Sequence, residues 1–376
     1  MKKLEETAGK IREKCSLCYL DTGAMSLLPE EVSESILDFH KRRQIYGPAF
    51  SEYWEEAEKL RGLIGDKIGC DASEIMFLWN TSMGINLAAR ALSIGAGDNV
   101  VISNIEFPSN VYPWMNLERE GVEVRMLDLS QGTLTEESLD ALCDERTKVI
   151  SLSWVQATTG MVADLKAISR YARQRQIYFL VDAIQGLGAL PLDLREVEAD
   201  FLVSGFYKWL LGPDGLSFVY INKKILPNLK IPFTGWAGME NKFDYSAYHF
   251  QLSPSARRYE SGNLNFSGIY GAAKALELTR GQEGKICAKI QELTAYLRRE
   301  LKERKEVEII TPDSPLRSGI TLFTCPKADA LYEMLKKRGI VVNYRTGIRV
   351  STHFYNTVSD IQKLLEAIDD FYKEKG

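Results

Sequence analysis

Short runs of Val, Ile, Leu and Phe alternate with segments of helical periodicity along most of the chain, the pattern of a largely parallel sheet covered by helices. Strands are predicted over residues 75–78, 99–102, 123–127, 148–153, 177–181, 201–203 and 216–221, with helical stretches such as 83–92 and 165–175 between them. Seven strands make one large α/β domain, expected over residues 20–280. Beyond Arg280 the texture changes: a long charged amphipathic helix over 284–305 is followed by strands at 307–310 and 318–323, a helix over 328–338, strands at 341–343 and 348–351, and a last helix from Ser359. That order predicts a small α+β domain over 281–376, joined by the N-terminal segment 1–19. No internal repeat and no low-complexity linker interrupts the pattern.

Composition narrows the function classes. The 376 residues carry 47 Lys and Arg against 51 Asp and Glu, a net charge of −4, and no basic block that would neutralise a phosphate backbone. Nucleic acid is not an expected partner. No apolar window has the length of a membrane span, and the opening MKKLEETAGKIREKC is too charged for a signal peptide, so a soluble cytoplasmic protein is expected. Six scattered cysteines are too few for a disulfide scaffold. Only Cys15 and Cys18 form a CxxC, with no second pair and no nearby His, so they read as reduced thiols and no metal site is expected.

Chemistry concentrates between Tyr178 and Tyr220. A hydrophobic strand ends in Asp182, where burial would normally exclude a carboxylate, and Gln185 follows three residues on. A second apolar strand leads to Lys208 within Phe206-Tyr207-Lys208-Trp209-Leu210-Leu211-Gly212. Both ionisable groups lie past the carboxyl ends of predicted strands, where open α/β sheets bind ligands. A lysine among aromatics loses its proton easily and becomes a nucleophile toward aldehydes, including that of pyridoxal phosphate (PLP). A buried Asp is the group that keeps the pyridine nitrogen of that cofactor protonated. The plain alternatives are a turn Asp and a snorkelling Lys; each explains one residue, and neither explains the pair. Upstream, Asn80-Thr81-Ser82-Met83-Gly84 follows a strand and opens a helix, offering backbone N–H groups and hydroxyls to an anion or, more simply, a helix N-cap. Glu106-Phe107-Pro108-Ser109-Asn110 puts an aromatic at another strand end, where Phe107 is either a stacking partner for a ring or core.

VDAIQ followed by SGFYKWLLGPDG, with NTSMGIN and EFPSNVYPW upstream, resembles the class V aminotransferase family of PLP enzymes, of fold type I, over nearly the whole chain. The resemblance implies that Lys208 forms the Schiff base, Asp182 partners the pyridinium and Gln185 lies near the 3-hydroxyl. It also places Phe107 on the ring, Thr81 and Ser82 at the phosphate, Tyr207 beside the cofactor, and Arg349 on the substrate carboxylate. Asn263, in RYESGNLN, matches the loop that reaches the partner subunit's phosphate in this dimeric family. Gln156 stands in the region of a common Asn. Desulfurases of the family carry a His on the ring and a nucleophilic Cys on a loop ahead of the carboxylate-binding Arg; here the ring position is Phe107, and YRTGIR leaves no room for that loop. The compact ending is most similar to the epimerase-like and lyase-like branch. The resemblance therefore implies a homodimeric enzyme acting at the α-carbon of an amino acid or its derivative, by lyase or epimerase chemistry through Lys208. Transamination, a desulfurase or selenocysteine lyase, and a regulatory protein that binds PLP without turnover are the alternatives.

Overall fold

A computed structural model describes residues 2–129, 134–246, 248–314 and 317–373. After a short strand β1 (Cys18–Tyr19), seven strands build the main sheet: β2 (Ile75–Leu78), β3 (Asn99–Ser103), β4 (Glu123–Leu127), β5 (Thr147–Ser153), β6 (Tyr178–Asp182), β7 (Phe201–Gly205) and β8 (Ser217–Ile221). Their order is β2-β8-β7-β6-β5-β3-β4, and only β8 runs against its neighbours. The exception has a cause in chain length. A parallel return needs a crossover of a dozen or more residues; β7 and β8 are separated only by the Lys208 turn, so the chain doubles back.

Successive side chains of a strand point to opposite faces, and this sheet is buried on both. Val100, Ile102, Leu180, Phe201 and Val203 pack on one side, against the helix Thr81–Ala91. Val101, Ile150, Phe179, Val181 and Leu202 pack on the other, against the helices Phe50–Ile68, Leu165–Gln174 and Phe266–Thr279. This explains the unbroken apolar runs that marked the strands. Gly84 lets the helix Thr81–Ala91 press onto β7 and β8, since a Cβ there would come within 2.8 Å of Val219 and 2.9 Å of Val203.

The C-terminal part holds β9 (Glu308–Ile309), β10 (Ile320–Thr324), β11 (Ile340–Val341), β12 (Asn343–Tyr344) and β13 (Ile348–Ser351). An antiparallel sheet of order β12-β13-β10-β9 is backed by the helices Glu283–Lys302, Ala328–Lys337 and Val358–Lys373 through Leu297, Leu331, Leu335, Leu364 and Ile368. The strand predicted over 341–343 is two elements here. The chain leaves β11, which pairs in parallel with β1, buries Val342 and joins β13 as β12. Through β1 the N-terminal stretch lies against the C-terminal part, continued by Leu20 N–H to Val341 O (2.9 Å) and Ser351 N–H to Leu20 O (2.7 Å). Among the described residues no helix is long and apolar enough to cross a membrane.

Candidate active site

The carboxyl ends of β3, β5, β6 and β7 meet along one edge of the main sheet. Asp182 is the last residue of β6 and is 3% exposed. One of its oxygens accepts from Ile184 N–H (3.1 Å), and among the described residues no basic side chain forms an ion pair with it. Burial raises its pKa above the usual carboxylate range, the nearby charge of Glu106 adds to that, and the Ile184 amide and Lys208 oppose it.

Lys208 lies in the turn after β7. That turn is held by Gly212 N–H to Phe206 O (2.9 Å) and by a left-handed, fully buried Leu211 (φ 61°), a conformation that costs an L-residue about 1–2 kcal/mol. Gly188 (φ 102°) gives the turn its seat, because a Cβ there would come within 2.3 Å of Trp209 O. Among the described residues Lys208 Nζ makes neither a hydrogen bond nor an ion pair, and it lies 5.6 Å from the Tyr207 ring centroid. Burial lowers its pKa, Asp182 resists the fall, and Arg349 and Arg345 add to it. The result is a lysine primed to lose its proton beside a carboxyl primed to keep one.

Gln185 is fixed at both ends, its Nε2 donating to Gly23 O (2.8 Å) and its Oε1 accepting from Trp209 Nε1 (2.9 Å). Gln156, 1% exposed, donates from Nε2 to Glu106 Oε1 (2.8 Å) and Ser103 Oγ (3.3 Å), while its Oε1 is buried without a partner among the described residues. Arg349, 1% exposed, donates to Ala157 O (2.7 Å) and to Asp21 Oδ1 (2.9 Å), whose other oxygen accepts from Asn343 Nδ2 (2.9 Å). Its Nε is buried with no partner among the described residues, a donor left for a ligand. The turn from β12 to β13 spans only Arg345–Gly347, closed by Arg345 N–H to Gly347 O (2.9 Å).

Thr81 and Ser82 open their helix. Asn80 Oδ1 caps Met83 N–H (3.0 Å), while the Thr81 and Ser82 amides are first-turn donors with no intrahelical acceptor. Ser82 Oγ reaches Ser109 Oγ (2.7 Å), tying this turn to the Phe107 segment, and Phe107 itself is 43% exposed. Asn263 borders the same helix start. It is exposed and lines an open cleft of about 250 Å³ with Trp79 and Met83.

These residues fit PLP. A buried carboxyl with an oxygen to spare suits a ring nitrogen, an unpartnered lysine suits the aldehyde, and a helix start with free amides suits the phosphate. None of the six cysteines lies at this edge: Cys15 bonds Leu17 O, Cys18 bonds Asp360 O, and burial pushes the Cys18 and Cys70 thiols up to about 12. His353 is fully buried, its Nδ1 accepting from Phe354 N–H and its Nε2 paired with Trp209 O, and burial holds its pKa down to about 3. Sequence reasoning gave no role to Glu106 or Asp21. Their only local signal is a carboxylate at the end of an apolar run, as in Tyr19-Leu20-Asp21.

A family model described as aminotransferase class-V matches residues 18–364. A cysteine desulfurase of Escherichia coli O157:H7 is 28% identical over 391 residues, covering 96% of this chain and 94% of its own. The solved complex of the cystine C–S lyase C-DES with its reaction product cysteine persulfide superposes with a TM-score of 0.90 at 22% identity, over 96% of this chain and 99% of that one. A C-DES variant with glycine covalently linked to the PLP cofactor gives 0.91 at 21%, over 96% and 98%.

Proposed function

Because this chain belongs to the class V aminotransferase family of PLP-dependent enzymes, we propose that it is a lyase that splits the Cβ–S bond of a small sulfur-bearing amino acid by elimination, without an enzyme persulfide. The observation that carries this reading is the three-residue turn between β12 and β13, together with the absence of any cysteine from the edge that holds Lys208 and Arg349. Bound PLP supplies an electron sink that acidifies the α-C–H of an attached amino acid. Lys208 Nζ, with its lowered pKa, takes that proton and holds it for the departing sulfur. Arg349 orients the substrate by its α-carboxylate, Asp182 meets the ring nitrogen, Gln185 lies by the 3-hydroxyl, Phe107 covers the ring, and the Thr81 and Ser82 amides receive the phosphate. Epimerisation needs a second proton carrier on the opposite face. Of the three histidines, His353 is neutral and enclosed while His40 and His249 are exposed, which favours elimination.

The reading extends to a homodimer in which Asn263 reaches the phosphate of the partner's site. Its exposed position beside Trp79 supports this; a fully active monomer in sedimentation would overturn it. The chemical test is the product balance. From cysteine and one water, elimination yields one pyruvate, one ammonia and one hydrogen sulfide, and the yield survives replacement of all six cysteines. Alanine with protein-bound sulfur, lost on replacing a single cysteine in a folded variant, would overturn the proposal.

A further inference from the structure

Glu106 carries more hydrogen bonds than its place in a loop requires. Its Oε1 accepts from Ser153 N–H (2.9 Å), Gln156 Nε2 (2.8 Å) and Ser103 Oγ (3.1 Å), and its Oε2 accepts from Ser153 Oγ. Four polar contacts converge on this one carboxyl, yet no Lys or Arg pairs with it among the described residues. Ser153, which it clasps from backbone and side chain, is the direct neighbour of Asp182 in the β5–β6 ladder. Two carboxylates therefore share one corner.

We propose that Glu106 is a positioning residue for the ring-nitrogen corner, clasping Ser153 and Gln156 beside Asp182 and contributing the negative charge that keeps a proton in that corner. This rests on the reading of Asp182 and Lys208 as the two ends of a PLP site. The groups facing the corner are Asp182 from β6, Lys208 from the turn after β7, Arg349 from β13, Arg345 from the β12–β13 turn, and Asp21 and Tyr207. Asp21 is engaged by Arg349 and Asn343, and the Arg345 side chain is exposed and so screened by solvent; with that pair and Arg345 set aside, Glu106 and Asp182 face Lys208 with one negative charge in excess. A protonated ring nitrogen would balance it. A proton in that corner is thus favoured by Glu106 whether it resides on the Asp182 carboxyl or on the ring nitrogen.

The test is the pH titration of the visible absorption band of the holoenzyme in the absence of substrate, which follows the proton on the Lys208 nitrogen linked to the cofactor. A negative charge nearby favours that proton, so removing it lowers the midpoint. Glu106→Gln keeps the shape: its carbonyl oxygen can stay at the Oε1 position and its amide can donate to Ser153 Oγ, a hydroxyl that also accepts. Its midpoint should fall by about one pH unit. Glu106→Asp keeps the charge and loses the fit, and its midpoint should remain within about 0.3 unit of the parent. A residue needed only for its shape would give the reverse order, the Asp variant perturbed and the Gln variant not, and that result overturns the inference. If Glu106→Gln is not recovered folded, Glu106→Asp decides alone: a midpoint moved by more than about 0.5 unit overturns it. Failure of the parent protein to bind PLP at Lys208 would instead refute the reading of the site itself.

Discussion

The segment that bears Asn263 is anchored by a buried ion pair, and breaking it has a calculable cost. Glu260 accepts from Arg61 Nη2 at 2.8 and 3.0 Å and from Phe77 N–H at 2.9 Å, and both charged side chains are enclosed. Arg61 donates further to Ile75 O (2.8 Å) and lies 4.4 Å from the Phe77 ring centroid. Glu260→Gln removes what is, among the described residues, the only enclosed countercharge of Arg61 and leaves Glu58, 3.4 Å from Nε and half exposed, as a weak substitute. Leaving a buried charge unpaired costs about 3–5 kcal/mol, and Glu58 puts this case at the lower end. With an unfolding entropy of about 2.1 cal/mol/K per residue, 376 residues give about 0.8 kcal/mol/K, so the loss lowers Tm by about 4–6 °C. Differential scanning calorimetry at pH 7 measures it. Arg61→Met combined with Glu260→Leu should recover part of the loss, because Arg61→Met removes the orphaned charge while Phe77 N–H is left without its acceptor. A fall below about 1 °C for Glu260→Gln, or a double variant no better than the single one, would refute the reasoning.

Three further outcomes follow from the site. Arg349→Lys should raise KM for an amino-acid substrate by about 10–100-fold, because an ammonium lacks the fork that serves both Ala157 O and a carboxylate; the cofactor's spectrum should not change, and a KM within about twofold of the parent would contradict the assignment. Asp182→Ala should slow exchange of the substrate α-proton with solvent by several orders of magnitude, read by deuterium incorporation, and a rate within about tenfold of the parent would remove Asp182 as the ring partner. His353 has a folded pKa of about 3 against 6.5 unfolded, so the unfolded chain binds more protons between those values and stability falls as pH drops below 6.5. From pH 6.5 to 4.5 that amounts to about 2.3 kcal/mol. His353→Phe, seated against Trp209 and Tyr355, should show a pH dependence smaller by about that amount in urea titrations; an unchanged dependence would mean that His353 does not titrate as its burial implies.

The strands were legible where burial on both faces left unbroken apolar runs. Ile75–Leu78, Glu123–Leu127 and Ile348–Ser351 fall where the sequence predicts them, and the rest differ by a residue or two at their ends. Asp182 stood out as a charge closing such a run, and Lys208 as a charge inside the aromatic and apolar stretch that follows one. The reversal of β8 and the division of residues 341–343 between two sheets left no mark, because hydrophobic alternation records which face a side chain takes and is silent on which neighbour the strand pairs with. Long-range polar pairs were equally hidden. Asp21 and Arg349 are 328 residues apart and Arg61 and Glu260 199 apart, so no local spacing announces either pair. Glu106 lay within a recognised motif, but its function depends on Ser153 and Gln156, which reach it only through the β3–β5 pairing.

The measurement closest to the central claim is the site of cofactor attachment. Holoenzyme treated with borohydride, digested and mapped by mass spectrometry should carry the reduced PLP adduct on the peptide containing Lys208, and Lys208→Ala should carry none. Lys242 is the informative competitor: its ammonium lies 3.4 Å from the Trp54 ring centroid, and burial pushes its pKa down to about 8 as well, although the carboxylates near it are Glu58, which is half exposed, and Glu260, which is already paired with Arg61. An adduct on Lys242, or a reducible adduct that persists in Lys208→Ala, would contradict the account.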